Sequence, residues 1–276
     1  MGQEAPVSST QAVQPANHAW QTTVYCAGFY ASEKVSDDLR LVTGEQSEYK
    51  LTFSSGDTVY LSKGASQGVK EGDRFSIVRP ERDPLRVQWF KWQEKLTNAM
   101  GTHYSDLGEV EVIKVQPNIA IARVSASCGL MQRGDIARPF VERPAGPYKE
   151  PAALDTLASL SGKPVAMVVR ARDASQITGR GDTVYVNLGT KQGVKVGDYF
   201  RIFRYQGTRA ETIPIEKDYQ DRLYGYGSNP KHYAWNDLPR EVLGEGIVLN
   251  ASQNSATVLV TASRTEIYSG DYVELE

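Results

Sequence analysis

Short stretches of this chain alternate apolar and polar side chains with a period of two. In the segment 256–262, Ala256, Val258 and Val260 fall on one face of an extended strand, and the same spacing recurs in the segment 120–124. The longest apolar runs, such as Val165–Val169, have the length of a strand, and none approaches the ~18–20 residues of a membrane span. The pattern therefore predicts an all-β protein with no membrane span.

The chain also repeats itself. The segment 56–79 recurs at 181–204, an offset of 125 residues, with 15 identities in 24 positions. A second block recurs at an offset of 136 residues, where Gly108-Glu109 matches Gly244-Glu245. The larger offset means that the second copy carries 11 extra residues between its two blocks. Each copy therefore consists of two repeated blocks, which we call the frame, and a segment between them that differs from copy to copy.

The repeat predicts two tandem small β-barrels of about six strands each, with a short helical or aromatic-rich insert in each. We expect the first strand of each barrel near Val24–Tyr30 and Val165–Arg170. The predicted divisions are a disordered segment (1–19), a first barrel (20–141, insert 80–107), a Pro-rich linker (142–162) and a second barrel (163–276, insert 205–243).

Four Gly-Asp pairs precede strands of the frame. Glycine tolerates the positive φ of a tight turn, and an Asp carboxylate can accept backbone N–H bonds within it. We therefore interpret these residues as structural turns and not as catalysts. They are Gly72, Asp73, Gly134, Asp135, Gly197, Asp198, Gly270 and Asp271.

The two inserts differ in character. In the first, Trp89, Trp92, Leu96 and Met100 recur at helical spacing, and this stripe could pack on the barrel or await a partner. The second insert is rich in aromatic residues, which give rigid contacts in binding surfaces, although it could equally be a lid on its own barrel. Its candidate partner-surface residues are Tyr219, Tyr224, Tyr226, Tyr233 and Trp235.

Charge and motifs argue against several function classes. Lys and Arg number 31 against 33 Asp and Glu, so no overall basic field favours nucleic acid. Asp57-Thr58 and Asp182-Thr183 are each followed by Val, whereas aspartic proteases need a small residue there. No nucleophile elbow or zinc-protease motif occurs, and three scattered His offer no metal spacing. We expect no enzyme, cofactor or metal site.

Cys26 and Cys128 are the only cysteines. They could be two buried thiols, or they could form one disulfide that ties the first strand to the last hairpin of the first barrel. The bridge requires Cα atoms about 4.4–6.8 Å apart. On the predicted alignment, Arg264 replaces Cys128 in the second copy and Met167 or Val168 lies near the place of Cys26. A disulfide would therefore be an addition to the frame, and it would favour an exported protein.

The frame Gly181–Ile202 and its continuation through Gly270-Asp271 resemble the C-terminal domain of the flagellar assembly protein T family, and the Gly-Asp turns resemble the GD box of SH3-like, cradle-loop barrels. The two-copy arrangement is also similar to uncharacterised bacterial envelope proteins associated with LysM modules. The resemblance implies a periplasmic, outer-envelope or secreted protein. The polar run up to about Asn17 is of a kind that often follows a cleaved signal peptide, so we expect that the signal peptide has been removed. It carries over no functional residue.

The expected function is a non-enzymatic interaction or scaffold module of the bacterial cell envelope. Its expected partner is an envelope protein or peptidoglycan. The alternative is a hydrolase with an unrecognised active site between or on the barrels. A deep cavity with a convergent acid, base and nucleophile would favour the hydrolase, whereas a shallow aromatic surface would favour the binding module.

Overall fold

A computed structural model describes residues 23–81, 88–144, 146, 149, 153–206 and 239–276. The prediction of an all-β protein is confirmed. The N-terminal half contains β1 (Phe29–Ala31), β2 (Leu41–Gly44), β3 (Thr52–Phe53), β4 (Thr58–Leu61), β5 (Arg74–Pro80), helix α1 (Gln93–Met100), β6 (Thr102–Val115), β7 (Ala120–Ser127), β8 (Met131–Gln132) and β9 (Ile136–Pro139). The C-terminal half contains β10 (Val165–Ala171), β11 (Ile177–Thr178), β12 (Thr183–Val186), β13 (Tyr199–Tyr205), β14 (Arg240–Ala251), β15 (Ala256–Ser263), β16 (Ile267–Tyr268) and β17 (Tyr272–Leu275).

The C-terminal half forms a closed six-stranded antiparallel barrel in the order β10-β12-β15-β14-β13-β17. Its core contains side chains from the apolar face of β15 that the alternating pattern predicted, together with side chains from the neighbouring strands. Ala256, Val258 and Val260 are each at most 2% exposed. The opposite face of β15 is also buried, since Leu259 packs against a segment from the N-terminal half. One strand therefore contributes to two packed layers.

The N-terminal half forms a seven-stranded sheet with the corresponding strand order, β2-β4-β7-β6-β5-β9, and β1 adds to β6. Its edge strands β2 and β9 meet at one isolated bridge, between Arg40 and Ile136. Backbone hydrogen bonds extend this contact, with Leu41 N donating to Asp135 O at 2.9 Å and Ala137 N donating to Leu39 O at 2.9 Å. The two edges thus meet over a shorter stretch than β10 and β17 do in the barrel.

The prediction that Val24–Tyr30 is the first strand of the frame is wrong. Residues 23–25 form a helical turn, and β1 begins only at Phe29. The place of β10 is taken instead by β2, since Leu41 pairs with Leu61 as Val168 pairs with Val186. The apolar side chains of 24–30 had suggested a core strand, but Val24, Ala27 and Tyr30 pack against the C-terminal barrel, and Phe29 packs on the N-terminal sheet.

The repeat preserves a glycine where two strands approach closely. Gly108 and Gly244 lie opposite Ile77 and Ile202, immediately before a register shift in each copy. A Cβ on Gly108 would lie 2.1 Å from Ala126 O, and one on Gly244 would lie 2.3 Å from Ala262 O. The strand backbones can therefore approach this closely only if the position has no side chain.

The Gly-Asp pairs build tight turns in both copies. Each Asp accepts a backbone N–H from the residue three positions earlier, at 2.6–2.9 Å. The four glycines all have positive φ, between 86° and 106°. These residues are Gly72-Asp73, Gly134-Asp135, Gly197-Asp198 and Gly270-Asp271.

The later Asp of each copy has a second role. Asp135 accepts two hydrogen bonds from Arg79, at 2.7 and 2.8 Å, and Asp271 accepts two from Arg204, both at 2.7 Å. Both carboxylates are almost completely buried, at 3% and 0% exposure. Burial raises the pKa of Asp271, and the pair with Arg204 opposes that rise. These ion pairs hold the turn before the last strand of each copy, β9 or β17, against β5 or β13.

We expect Asp271→Ala to lower the free energy of unfolding by about 3 kcal/mol, because it leaves the partly buried Arg204 without its carboxylate. The matched variant Asp198→Ala removes a half-buried Asp that holds a turn but has no ion pair with another described residue, and it should lower the free energy of unfolding by only about 1 kcal/mol. Urea denaturation followed by circular dichroism measures both. Equal losses of unfolding free energy in the two variants would show that the ion pair with Arg204 adds no stability beyond that of the turn.

Candidate functional site

The segment 24–31, which we call the strap, lies between the two halves of the molecule. Val24 and Ala27 pack against Ile247, Leu249 and Leu259 on the outer face of the barrel. Further along, Tyr30 packs with barrel residues and with the end of α1. The strap belongs to the N-terminal sheet and Phe29 packs on that sheet, yet Val24, Ala27 and Tyr30 are buried against the C-terminal barrel.

The barrel also binds the strap through the strap's backbone carbonyls. The Tyr185 hydroxyl donates to Ala27 O at 2.9 Å, and the Thr257 hydroxyl donates to Gly28 O at 3.1 Å. The Ser252 hydroxyl donates to Tyr30 O. Burial raises the pKa of Tyr185 well above its usual value, so the hydroxyl stays protonated and able to donate.

Gly28 is required at the centre of this contact. Its φ is +68°, in the left-handed region that favours glycine. A Cβ here would lie 2.5 Å from the Tyr185 hydroxyl and 3.1 Å from Tyr104 O. The strap therefore approaches both halves more closely than any residue with a side chain could.

The strap is fixed to its own sheet by covalent and polar contacts. A disulfide joins Cys26 to Cys128, with Cα atoms 5.4 Å apart. Gly28 N donates to Asp106 Oδ2 at 3.0 Å, and Arg143 forms two hydrogen bonds with the same carboxylate, at 2.8 and 2.7 Å. The position of the strap is thus defined from both sides.

Helix α1 provides a second contact between the halves. Gln93 Nε2 donates to Val169 O at 2.8 Å, and Asn254 Nδ2 donates to Ala99 O at 3.2 Å. Met100 is completely buried beside Val169, whereas Trp92 is 59% exposed. Only part of the expected apolar stripe therefore packs, and it packs partly on the other half of the molecule.

Two cavities lie along the boundary between the halves. One has a volume of about 690 Å³ and is bordered by both disulfide cysteines. The other has a volume of about 940 Å³ and is bordered by α1. Pro80, Glu81 and Arg170 line both cavities. This shared wall is the candidate functional site.

A buried histidine, His103, contacts Glu81 of this shared wall. His103 is 3% exposed, and its ring lies 5.0 Å from that of Tyr30 and 4.8 Å from that of Tyr185. Its Nδ1 is 3.5 Å from Glu81 Oε2. This distance is at the long limit for a hydrogen bond. The contact with His103 is the largest of the effects that lower the pKa of Glu81 to about 2; Ser105 and the charge of Arg170 add to it, and partial burial opposes it.

The structure brings only part of the predicted site residues together. Cys26 and Cys128 meet at the edge of the smaller cavity, while the Gly-Asp residues hold turns. The candidate surface residues Tyr219, Tyr224, Tyr226, Tyr233 and Trp235 lie outside the described residues. Sequence reasoning missed Glu81, His103 and Arg170. For Arg170 a signal existed, namely one charged residue within the apolar run 165–171.

No protein-family model matches this chain, and no match was found among curated proteins. Among the described residues, no helix is long and apolar enough to cross a membrane. The same part of the chain contains no cluster of three or more His, Cys, Asp or Glu side chains suited to a metal ion.

We expect the double variant Cys26→Ser, Cys128→Ser to lose about 2–4 kcal/mol of unfolding free energy, because the bridge closes a long loop across a sequence separation of 102 residues. Guanidinium denaturation of oxidised protein and variant measures the loss. A thiol assay on unreduced, denatured protein is the direct control. Two free thiols per chain would contradict the bridge.

Tyr185→Phe should lower the free energy of unfolding by about 1 kcal/mol, since it removes the hydroxyl that donates to Ala27 O. Tyr60 is the matched control, because it occupies the same place in the N-terminal copy without being buried under the strap. Tyr60→Phe should be nearly neutral in the same urea titration. Equal effects in the two variants would mean that the hydroxyl bond does not stabilise the docked strap.

The effect of Glu81→Gln should depend on pH. The folded-state pKa of Glu81 is lowered to about 2, so its contribution to stability is present above the unfolded pKa of about 4.3 and is lost as pH falls toward 2. Thermal midpoints of the protein and the variant should differ from pH 5 to 7 and converge near pH 2. A constant difference over this whole range would contradict the pairing with His103.

Proposed function

We propose that this chain is a non-enzymatic interaction or scaffold module of the bacterial cell envelope, built from two barrel repeats. The observation that carries the proposal is the strap, which docks one copy of the frame on the other through apolar packing and three hydroxyl–carbonyl bonds. Such docking makes one composite body from two small modules. A composite body of this kind can present a fixed surface to a partner.

The corresponding strand order of the two sheets supports the two-barrel part of the proposal. In the N-terminal half, the bridge between Arg40 and Ile136 lies where β10 and β17 pair in the barrel. We therefore regard this half as a barrel that closes over a shorter ladder.

The charges around the cavities support binding over catalysis. Arg79 pairs with Asp135, and Arg143 pairs with Asp106. Glu81 contacts a histidine whose ring is enclosed by two tyrosines. In the described part of the chain, neither ring nitrogen of His103 has a hydrogen-bond partner, so no hydroxyl there is placed to be activated by it.

The disulfide between Cys26 and Cys128 supports the envelope assignment. Disulfides form and persist in oxidising compartments such as the bacterial periplasm, whereas cytosolic thiols are kept reduced. The resemblance of the frame to bacterial envelope proteins points to the same setting. We propose a periplasmic, outer-envelope or secreted location on these two grounds.

For the partner, we propose peptidoglycan or an envelope protein, bound through the aromatic residues of the second insert. Co-sedimentation with purified peptidoglycan tests the glycan, and cross-linking in periplasmic extract followed by mass spectrometry tests the protein. The test variant replaces Tyr219, Tyr224, Tyr226, Tyr233 and Trp235 by Ser. The control variant carries Tyr49→Ser and Trp92→Ser, two aromatic residues that are 87% and 59% exposed elsewhere.

We expect the test variant to lose about tenfold or more in retention or cross-linking, because aromatic anchors carry much of the energy of a binding surface. The control variant should behave as the unmodified protein. Equal retention of all three proteins would remove the second insert from the proposal. Release of soluble fragments from the peptidoglycan would favour the alternative function, a hydrolase.

A further inference from the structure

Arg170 is a buried arginine on the boundary between the two halves. It lies opposite Tyr185 in the β10–β12 ladder, so both side chains leave the barrel on its outer face. Arg170 is 7% exposed and forms part of the wall of both cavities. A charged side chain therefore lies where the cavities meet, largely removed from bulk water.

The guanidinium of Arg170 is incompletely paired. Its Nε has no hydrogen-bond partner among the residues that the structure describes. Arg240, which is buried to the same degree, shows the usual solution: it donates to two backbone carbonyls and to the carboxylate of Glu274. The charge of Arg170 interacts with the carboxylate of Glu81, whose pKa it helps to lower, but its buried Nε donor remains unsatisfied among the described residues. A buried donor without a partner opposes folding, and this donor therefore points to a role other than stability.

The repeat shows that the frame does not need an arginine here. Thr43 follows the same register shift in β2 and pairs with Tyr60, as Arg170 pairs with Tyr185. The N-terminal sheet thus forms its ladder with a small neutral residue at this position. Arg170 is a feature added to one copy, at the place where that copy borders a cavity.

The chemistry of the wall restricts what can bind. The planar guanidinium matches a carboxylate or a phosphate, through two parallel hydrogen bonds. Glu81 lies on the same wall and, with a pKa of about 2, is negatively charged at neutral pH. A ligand that carried several negative charges would be repelled by Glu81. A ligand with an ammonium group beside its carboxylate would complement both residues.

We infer that Arg170 and Glu81 form a binding site for a small zwitterion of the amino-acid or peptide type. Arg170 binds the carboxylate and Glu81 binds the ammonium group. The site uses none of the residues in 219–235, so its test does not depend on the partner surface proposed above.

Isothermal titration calorimetry tests the site with three probes: the dipeptide alanyl-alanine, acetate and inorganic phosphate. We expect the dipeptide to bind more tightly than either anion, because only the dipeptide satisfies both charges. Arg170→Met and Glu81→Gln should each weaken dipeptide binding by about tenfold or more, since each removes one charged partner. Arg264→Met changes an exposed arginine outside both cavities and should leave binding unchanged.

Thermal unfolding of the free proteins separates loss of binding from loss of fold. Arg170→Met should keep or raise the thermal midpoint, because it replaces an incompletely paired buried charge by an apolar side chain. Arg170→Lys keeps the charge without the planar geometry and should bind the dipeptide more weakly than the unmodified protein.

Three results of the titrations would each overturn the inference. They are equal dipeptide binding by the protein and Arg170→Met, tighter binding of phosphate than of the dipeptide, and no binding of any probe at about 10 mM, well above a millimolar Kd. A large fall in the thermal midpoint of Arg170→Met would assign the arginine to the fold and overturn the inference as well.

Discussion

The relation between the two halves of this protein depends on the strap, residues 24–31. On one side it is attached to the N-terminal sheet by the Cys26–Cys128 disulfide and by the pairing of β1 with β6. On the other side its carbonyls accept hydrogen bonds from barrel hydroxyls, and Ala27 is completely buried against the barrel. Neither attachment belongs to the repeated frame. The duplication supplied two similar modules, and the strap joins them.

Comparison of the two copies separates what the frame needs from what was added. Both copies keep the close-packed glycine of the central hairpin and the buried Arg–Asp pair, since backbone approach and charge burial leave little choice there. They differ on their outer faces. Thr43 in one copy corresponds to Arg170 in the other, and Arg170 is the one that lines cavities. The differences therefore lie where the copies meet each other and where a ligand could enter.

Much of the frame could be predicted from the sequence because its causes are local. The alternation in 256–262 indicated a strand, and the repeated Gly-Asp pairs indicated turns whose backbone geometry glycine permits. The first strand of the N-terminal copy was misplaced because the apolar residues of 24–30 look like core. Val24, Ala27 and Tyr30 are indeed buried, but against the other half of the molecule, and a pattern of polarity does not say which surface buries a side chain.

The candidate site was beyond sequence reasoning for the same reason. Glu81 and His103 are neighbours at the end of the β5–β6 ladder, but Arg170 belongs to the other half and joins them only when the halves dock. Buried hydroxyls such as that of Thr257 likewise gave no signal, because the residue lies on the face of β15 opposite the apolar face that the alternation identified. These contacts join residues that are distant in the sequence and form when the two halves dock. Periodicity and local turn chemistry depend only on neighbouring residues, so they do not predict such contacts.

Differential scanning calorimetry of the oxidised protein tests the central claim, that the strap makes one cooperative body of the two halves. The account predicts a single transition whose calorimetric and van't Hoff enthalpies agree. In Ala27→Asp, which places a charge in the buried contact, the halves should unfold in two separate transitions. Two independent transitions in the unmodified protein, unchanged in Ala27→Asp, would contradict the account.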